Sequence, residues 1–232
     1  MKPRILLTPS LDEEEKYSLR PDYCQAVRKA GGMPLIMPFK ESELISDYLS
    51  LSDGILFSGG NDPDPLIFAE EPHPAMKRIE PGRDMFERKM LERALKLQIP
   101  VLGICKGFQL MNMVLGGSIY QDIESELSDH IKHMQQVRRD YPTHSAHIVN
   151  DSLAAKILGT SSDFAVNSFH HQAIKELSDE LTEVVAAPDG LVEMAVSLEY
   201  NLFGVQWHPE MLEGSAASEQ IFDYFISSAQ AS

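Results

Sequence analysis

The chain has 232 residues, 43% hydrophobic and 24% charged, with 35 acidic side chains against 20 Lys and Arg and a formal net charge of −15. That length suits one well-cored α/β domain, so residues 1–232 are expected to form a single unit. The acidic excess repels phosphate backbones and anionic lipid, which excludes nucleic acid and membrane surfaces as expected partners.

In chain order, "RILLTP" reads as a first strand, with too short an apolar run for a secretory signal. No later stretch approaches the ~20 apolar residues of a membrane helix. Two cysteines, Cys24 and Cys105, and eleven methionines suit a reducing compartment, so a cytoplasmic location is expected. A helix is predicted from Pro21 to the Gly31-Gly32 pair, with proline at its start and glycine past its end. Cys24 lies within it and reads as a packing residue. The strand "MPLIMP", a short helix near residues 41–50 and the strand "GILF", ending in "SGG", come next.

Residues 61–81 break this alternation with five prolines. The loop follows a glycine pair at a strand end, where open α/β sheets bind ligands. A lid or substrate-shaping loop is expected there rather than a passive excursion. A helix over roughly 82–97 follows, with Phe86, Met90, Leu91 and Ala94 on its core face. It leads into the strand "PVLGI". Five strand signals ("HSAHIV", "DFAVNS", "TEVVAA", "LVEMAV", "NLFGVQW") and a final helix at about 215–228 complete the chain. Apolar strands alternating with helices imply a parallel sheet covered on both faces, here with an added antiparallel portion.

The chemistry concentrates at "VLGICKGFQLMNMVL". A cysteine at the apex of a strand-to-helix turn, with glycines two residues away on either side, has the geometry of a nucleophile elbow with sulfur in place of oxygen. The helix N-terminus favours the thiolate, and the free N–H of Lys106 is placed to bind an oxyanion. In "LFGVQWHPE", strand alternation puts His208 and Glu210 on one face, so the carboxylate can orient an imidazole whose other nitrogen meets a thiol. Gly60 in "FSGGND" offers a second backbone donor; an ordinary turn explains that glycine pair equally well.

Together "SGGNDPDP", "RDMFE", "PVLGICKGFQLMNMVLGGSIYQDI", "VNSFHHQAI" and "GVQWHPE" resemble the γ-glutamyl-γ-aminobutyrate hydrolase family of class I glutamine amidotransferase-like proteins. The resemblance implies a flavodoxin-like three-layer α/β sandwich with a mostly parallel central sheet. It implies Cys105 as nucleophile, His208 as base, Glu210 as its partner, and Gly60 and Lys106 as oxyanion donors. It places Gln109 against the glutamyl moiety, and Asn167, Ser168, His170 and His171 beside the substrate. Ser58 stands where the family usually has Pro, Lys106 where it usually has Arg, and Phe68 where it usually has Tyr.

The expected reaction is hydrolysis of a γ-glutamyl amide through a thioester, with a small γ-glutamyl compound as substrate and no cofactor. A homodimer is left open. A metal site is not expected, because His170 and His171 point to opposite faces of a strand, and His144 and His147 have no ligand partner at a recognisable spacing. Two other functions were weighed. One is a glutaminase subunit feeding ammonia to a synthase; the other is a catalytically silent binding module, which the complete Cys-His-Glu set opposes.

Overall fold

The computed structural model describes residues 1–39 and 42–231. The first half alternates as the apolar pattern requires. Strand β1 (Arg4–Thr8) is followed by a small hairpin of β2 (Ser10–Leu11) and β3 (Tyr17–Ser18), then α1 (Pro21–Lys29) and β4 (Met33–Ile36). A 3-10 turn at Ser42–Leu44 continues into α2 (Ile45–Ser50), so the helix expected near 41–50 is present, with Glu41 outside the described residues. Next come β5 (Gly54–Phe57), α3 (Pro81–Leu97), β6 (Val101–Ile104) and α4 (Lys106–Val114).

The second half adds β7 (Ser118–Tyr120), α5 (Ile123–Glu126), β8 (His144–Ile148), α6 (Asp151–Leu158) and β9 (Phe164–Val166). It closes with β10 (Ala173–Glu176), β11 (Thr182–Ala186), β12 (Val192–Ser197), β13 (Leu202–Val205) and α7 (Ala216–Ala231). The pair β7 and β10, which the sequence reading did not separate as strands, forms a two-stranded antiparallel sheet of its own.

The central sheet has nine strands in the order β4-β1-β5-β6-β13-β12-β11-β8-β9. Pairing is parallel from β4 to β13 and antiparallel from β13 to β9. Period-two alternation sends β1 and β5 side chains to both faces. Ile5, Leu7 and Leu56 pack with α1, α6 and α7 on one side. Leu6, Ile55 and Phe57 pack with α2, α3 and α4 on the other. This is the three-layer sandwich expected, with an antiparallel half larger than "mostly parallel" suggests. Among the described residues, no helix is long and apolar enough to cross a membrane.

Close approach of α4 to the sheet is what the glycines provide. Gly103 and Gly204 face one another across β6 and β13. A Cβ on Gly204 would lie 2.0 Å from the Phe108 ring, and one on Gly103 would lie 2.4 Å from Met111 Sδ. At Gly107 a Cβ would meet the Phe57 carbonyl at 2.2 Å. These contacts answer why the thiol is bracketed by glycines: a side chain at either position would lift the helix off the strands.

Candidate functional site

Cys105 sits between β6 and α4 with φ 52° and ψ −107°. For a residue with a Cβ this left-handed backbone is strained, and it persists because both flanks are fixed. Its N–H donates to the Val205 carbonyl at 2.7 Å, and α4 begins at the next residue. The thiol is 7% exposed, enough for a ligand to reach it at the sheet's C-terminal edge.

The His208 imidazole lies beside Cys105, both side chains bordering Gly59. Its Nδ1 lies 2.7 Å from Glu210 Oε1, which leaves Nε2 for the sulfur. Burial opposes protonation of the imidazole. The Glu210 charge and the contact with Cys105 outweigh it and push the His208 pKa up to about 10. One expectation needs correction here. β13 ends at Val205, so His208 and Glu210 do not share a strand face; His208 precedes a 3-10 turn over Pro209–Met211 and Glu210 lies within it. Pro209 has no N–H with which to extend the ladder, and the turn brings the pair together instead.

The donors expected of an oxyanion hole are held from below. Arg83 donates from Nη2 to the Ser58 carbonyl (2.7 Å) and from Nη1 to the Gly59 carbonyl (3.1 Å). Because the peptide unit is planar and trans, fixing the Gly59 carbonyl toward Arg83 turns the Gly60 N–H the opposite way. The preceding N–H, that of Gly59, is taken by the Tyr23 hydroxyl at 3.0 Å. A Cβ on Gly59 would lie 2.9 Å from His208 Cε1, so this glycine makes the room for the ring. Lys106, at the first position of α4, keeps an N–H that no earlier turn of the helix can accept.

The Lys106 side chain turns inward. Its Nζ lies 2.5 Å from both Asp84 Oδ1 and Glu87 Oε2. Glu87 also receives Arg83 Nε at 2.8 Å and the Thr8 hydroxyl. Burial alone would raise the Glu87 pKa, but Arg83 and Lys106 hold it below its ordinary value. The strand end carrying Gly60 and the helix start carrying Cys105 thus share one buried ionic network.

The residues expected beside the substrate each have hydrogen-bond partners within the protein. Asn167 is fully buried and brackets the His208 backbone: Oδ1 accepts the His208 N–H (2.9 Å) and Nδ2 donates to its carbonyl (3.0 Å). Gln109, 2% exposed, donates from Nε2 to the Gln172 carbonyl and to Gln206 Oε1, each at 3.1 Å. Ser168 donates its N–H to Gln135 Oε1 and its hydroxyl to the His133 carbonyl. His170 is buried, with Nδ1 on the Gln172 carbonyl at 2.8 Å. These four position the backbone around the site. His171 keeps some exposure, bridging Asp62 (3.0 Å) and Asp122 (3.1 Å). Burial lowers its affinity for a proton, but the bonds to the two carboxylates prevail and raise its pKa.

The 61–81 loop is a braced wall and does not have the form of a free lid. Asp62 N–H donates to the Arg78 carbonyl and Lys77 N–H to Asp62 Oδ2, and Asp64 N–H donates to Asp84 Oδ2. Phe68 packs into the core beneath the Arg88 guanidinium rather than toward the thiol. Cys24 is half-buried in α1, the packing position expected. Sequence reading missed Tyr23, Gly59 and the Arg83–Glu87–Lys106 network. The one visible signal was the Arg83–Glu87 spacing of four on a helix.

The Peptidase C26 family profile matches residues 6–210. The protein NtpR of Enterococcus hirae is 38% identical over 88% of this chain and 86% of its own length. The γ-glutamyl-γ-aminobutyrate hydrolase PuuD of Escherichia coli is 34% identical over 92% of this chain and 87% of its own. A glutamine amidotransferase from Thermotoga maritima has the same fold at 17% identity, with a TM-score of 0.62 over 99% of this chain and 97% of that one. With a sequence match running from β1 to the 3-10 turn that carries Glu210, the chain belongs to the Peptidase C26 family, cysteine hydrolases of the class I glutamine amidotransferase type.

Proposed function

We propose that the protein hydrolyses γ-glutamyl amides, releasing glutamate and an amine through a γ-glutamyl thioester. The observation that carries this reading is the strained Cys105 elbow facing an imidazole that Glu210 keeps protonated well above neutral pH. Cys105 and His208 then stand as thiolate and imidazolium, and the sulfur attacks the γ-carbonyl carbon. The carbonyl oxygen becomes an oxyanion, stabilised by the N–H groups of Gly60 and Lys106. His208 gives its proton to the departing amine as the C–N bond breaks. Water then attacks the thioester, with neutral His208 taking its proton, and glutamate leaves with restoration of the ion pair.

The bracing of Gly59 by Arg83 and Tyr23 supports a donor set that is formed before substrate arrives. A glutaminase that waits for a synthase has no use for a preformed hole, whereas a free hydrolase does. Arg139, whose guanidinium lies 5.2 Å from the Phe169 ring beside His208, suits a leaving amine that carries a carboxylate. The test is kcat/KM for γ-glutamyl-γ-aminobutyrate against glutamine, with no partner protein added. The larger value is expected for the γ-glutamyl alkylamine. A ratio favouring glutamine, or turnover only with a synthase present, would establish the coupled glutaminase instead.

A further inference from the structure

Behind the base arm, side chains from four separate segments converge. His133 comes from the connection before β8, His144 from β8, His170 from the segment after β9, and Glu193 from β12. His133, His170 and Glu193 are buried, Glu193 completely, and the His144 side chain is 6% exposed. His133 Nδ1, His144 Nε2 and His170 Nε2 lie 3.9, 3.7 and 3.8 Å from the same atom, Glu193 Oε1. The ligand atoms of His133, His170 and Glu193 all fall within 4.8 Å of one another.

The other ring nitrogens fix the tautomers. His133 Nε2 is 2.9 Å from Asp189 Oδ2, His170 Nδ1 is 2.8 Å from the Gln172 carbonyl, and His144 Nδ1 is 3.0 Å from the Ser145 carbonyl. Each of those partners accepts only, so each outer nitrogen carries the ring hydrogen and each inner nitrogen presents a lone pair. Three nitrogen lone pairs and a carboxylate oxygen therefore face one another. Neither the inner nitrogens of His144 and His170 nor either Glu193 oxygen has a hydrogen-bond partner among the described residues.

Nearby hydroxyl and amide groups do not resolve this. The Ser168 hydroxyl, 3.4 Å from His133 Nδ1, gives its hydrogen to the His133 carbonyl at 2.8 Å. Gln206, paired with Glu193 through its backbone N–H, turns Oε1 to Gln109, and its Nε2 has no partner among the described residues. Protonating an imidazole fits the distances poorly, since a charge-assisted N–H···O bond is about 2.7–2.9 Å long. Ligands at about 2.0–2.1 Å from a tetrahedral ion are about 3.3 Å apart, so the imidazole-to-Glu193 distances of 3.7–3.9 Å would contract by about half an ångström, and the His133–His170 separation, within 4.8 Å, by up to about 1.5 Å.

We propose that His133, His144, His170 and Glu193 form a site for a zinc-class divalent transition-metal ion, distinct from the Cys105–His208 centre. Imidazole nitrogen and carboxylate oxygen suit such an ion, and the carboxylate behind His133 is the usual outer partner of a metal-bound histidine. Four protein ligands leave no open position, which marks a structural ion and not a Lewis acid for the reaction. A surface groove lined by Ile131, Met134 and Gln136 reaches His133 and His170 and provides the route in. The ion would lock the His170 segment, and with it Asn167, to the antiparallel strands, so it positions the His208 backbone from a distance.

The test uses the untagged full chain. Metal content is measured after desalting, and the chelator-treated protein is titrated with Zn2+ and Co2+ while melting temperature and visible absorption are followed. The expected result is a single saturating equivalent, a rise in melting temperature with Zn2+, and the visible bands of tetrahedral Co2+. Asp189→Asn, which leaves all four ligands in place, should weaken affinity about 10- to 100-fold, and Glu193→Gln should abolish the Co2+ bands. Absence of retained metal together with no saturable Co2+ spectrum in the wild type would overturn the site, as would a Co2+ spectrum unchanged in Glu193→Gln. Neither reading depends on turnover, so a failure here leaves the proposed hydrolysis standing.

Discussion

The two sides of Cys105 are braced by opposite electrostatic designs. Beneath Cys105, the chain closes its own network: the Lys106 ammonium meets Asp84 and Glu87, and the Arg83 guanidinium meets Glu87 and two backbone carbonyls. Behind His208, the buried groups meet acceptor to acceptor around Glu193. Buried charge is tolerated only where it is paired and hydrogen-bonded. The nucleophile side pairs its charges with protein atoms, and the proposed cation would do the same for the base side. A strained elbow needs a foundation present as soon as the chain folds. The base arm lies on the antiparallel half and can be locked later.

The largest effect tests whether both sides serve one reaction. Cys105→Ala keeps every brace on either side and removes the sulfur alone. Hydrolysis is expected to fall on the order of 10⁶-fold, as for nucleophile loss in triad enzymes, with little change in melting temperature. Cys24→Ala, on the outer helix, should leave turnover nearly unchanged. Substantial glutamate release by Cys105→Ala would break the link between the elbow and the chemistry.

A second variant sharpens the contrast between closed and open networks. Glu87→Gln removes the one carboxylate shared by Lys106 and Arg83, leaving Lys106 with Asp84 and Arg83 with the more distant Glu80. Breaking a buried pair by removing one partner costs about 3–5 kcal/mol, read as a lower midpoint in urea at constant slope. Combining it with Lys106→Met should cost less than the sum of the two single changes, because the Lys106–Glu87 pair is already lost in either one. Additive costs in the double variant would mean that Lys106 and Glu87 do not interact across the buried gap, and the closed-network description would fail.

Much of the nucleophile side was legible because its signals are local. Gly103 and Gly107 flank Cys105 within one turn, and Pro21 and Pro81 mark helix starts where proline is preorganised. The inward turn of Lys106 was not legible. A lysine at the start of an exposed helix and one above buried carboxylates read alike until α3 is packed against α4. His208 and Glu210 were paired correctly for an incorrect reason, since alternation was extended past Val205 into a turn set by Pro209. The cluster of His133, His144, His170 and Glu193 left no spacing signal. Its members meet only because the sheet order brings β8, the segment after β9 and β12 to one place.

The smallest expected effect probes the junction of the two sides through pH. With a pKa of about 10, raised from 6.5, His208 remains an imidazolium across the neutral range. The cation that faces Cys105 is thus present at pH 7 and lost as pH rises through 10. Without the cation, a thiol is only a few per cent thiolate at pH 7. That smaller fraction is partly offset by the greater intrinsic nucleophilicity of a more basic thiolate. Alkylation of Cys105 by iodoacetamide at pH 7 is therefore expected to slow by about 10-fold in His208→Ala. The stability of the wild type carries the same sign. A group whose folded pKa is raised contributes fully below its unfolded value near 6.5 and loses that contribution by about pH 10. Melting temperature should fall across that window more in the wild type than in His208→Gln, with alkylation followed by mass spectrometry on the same samples. Equal alkylation rates in wild type and His208→Ala would show that the helix N-terminus alone activates the thiol.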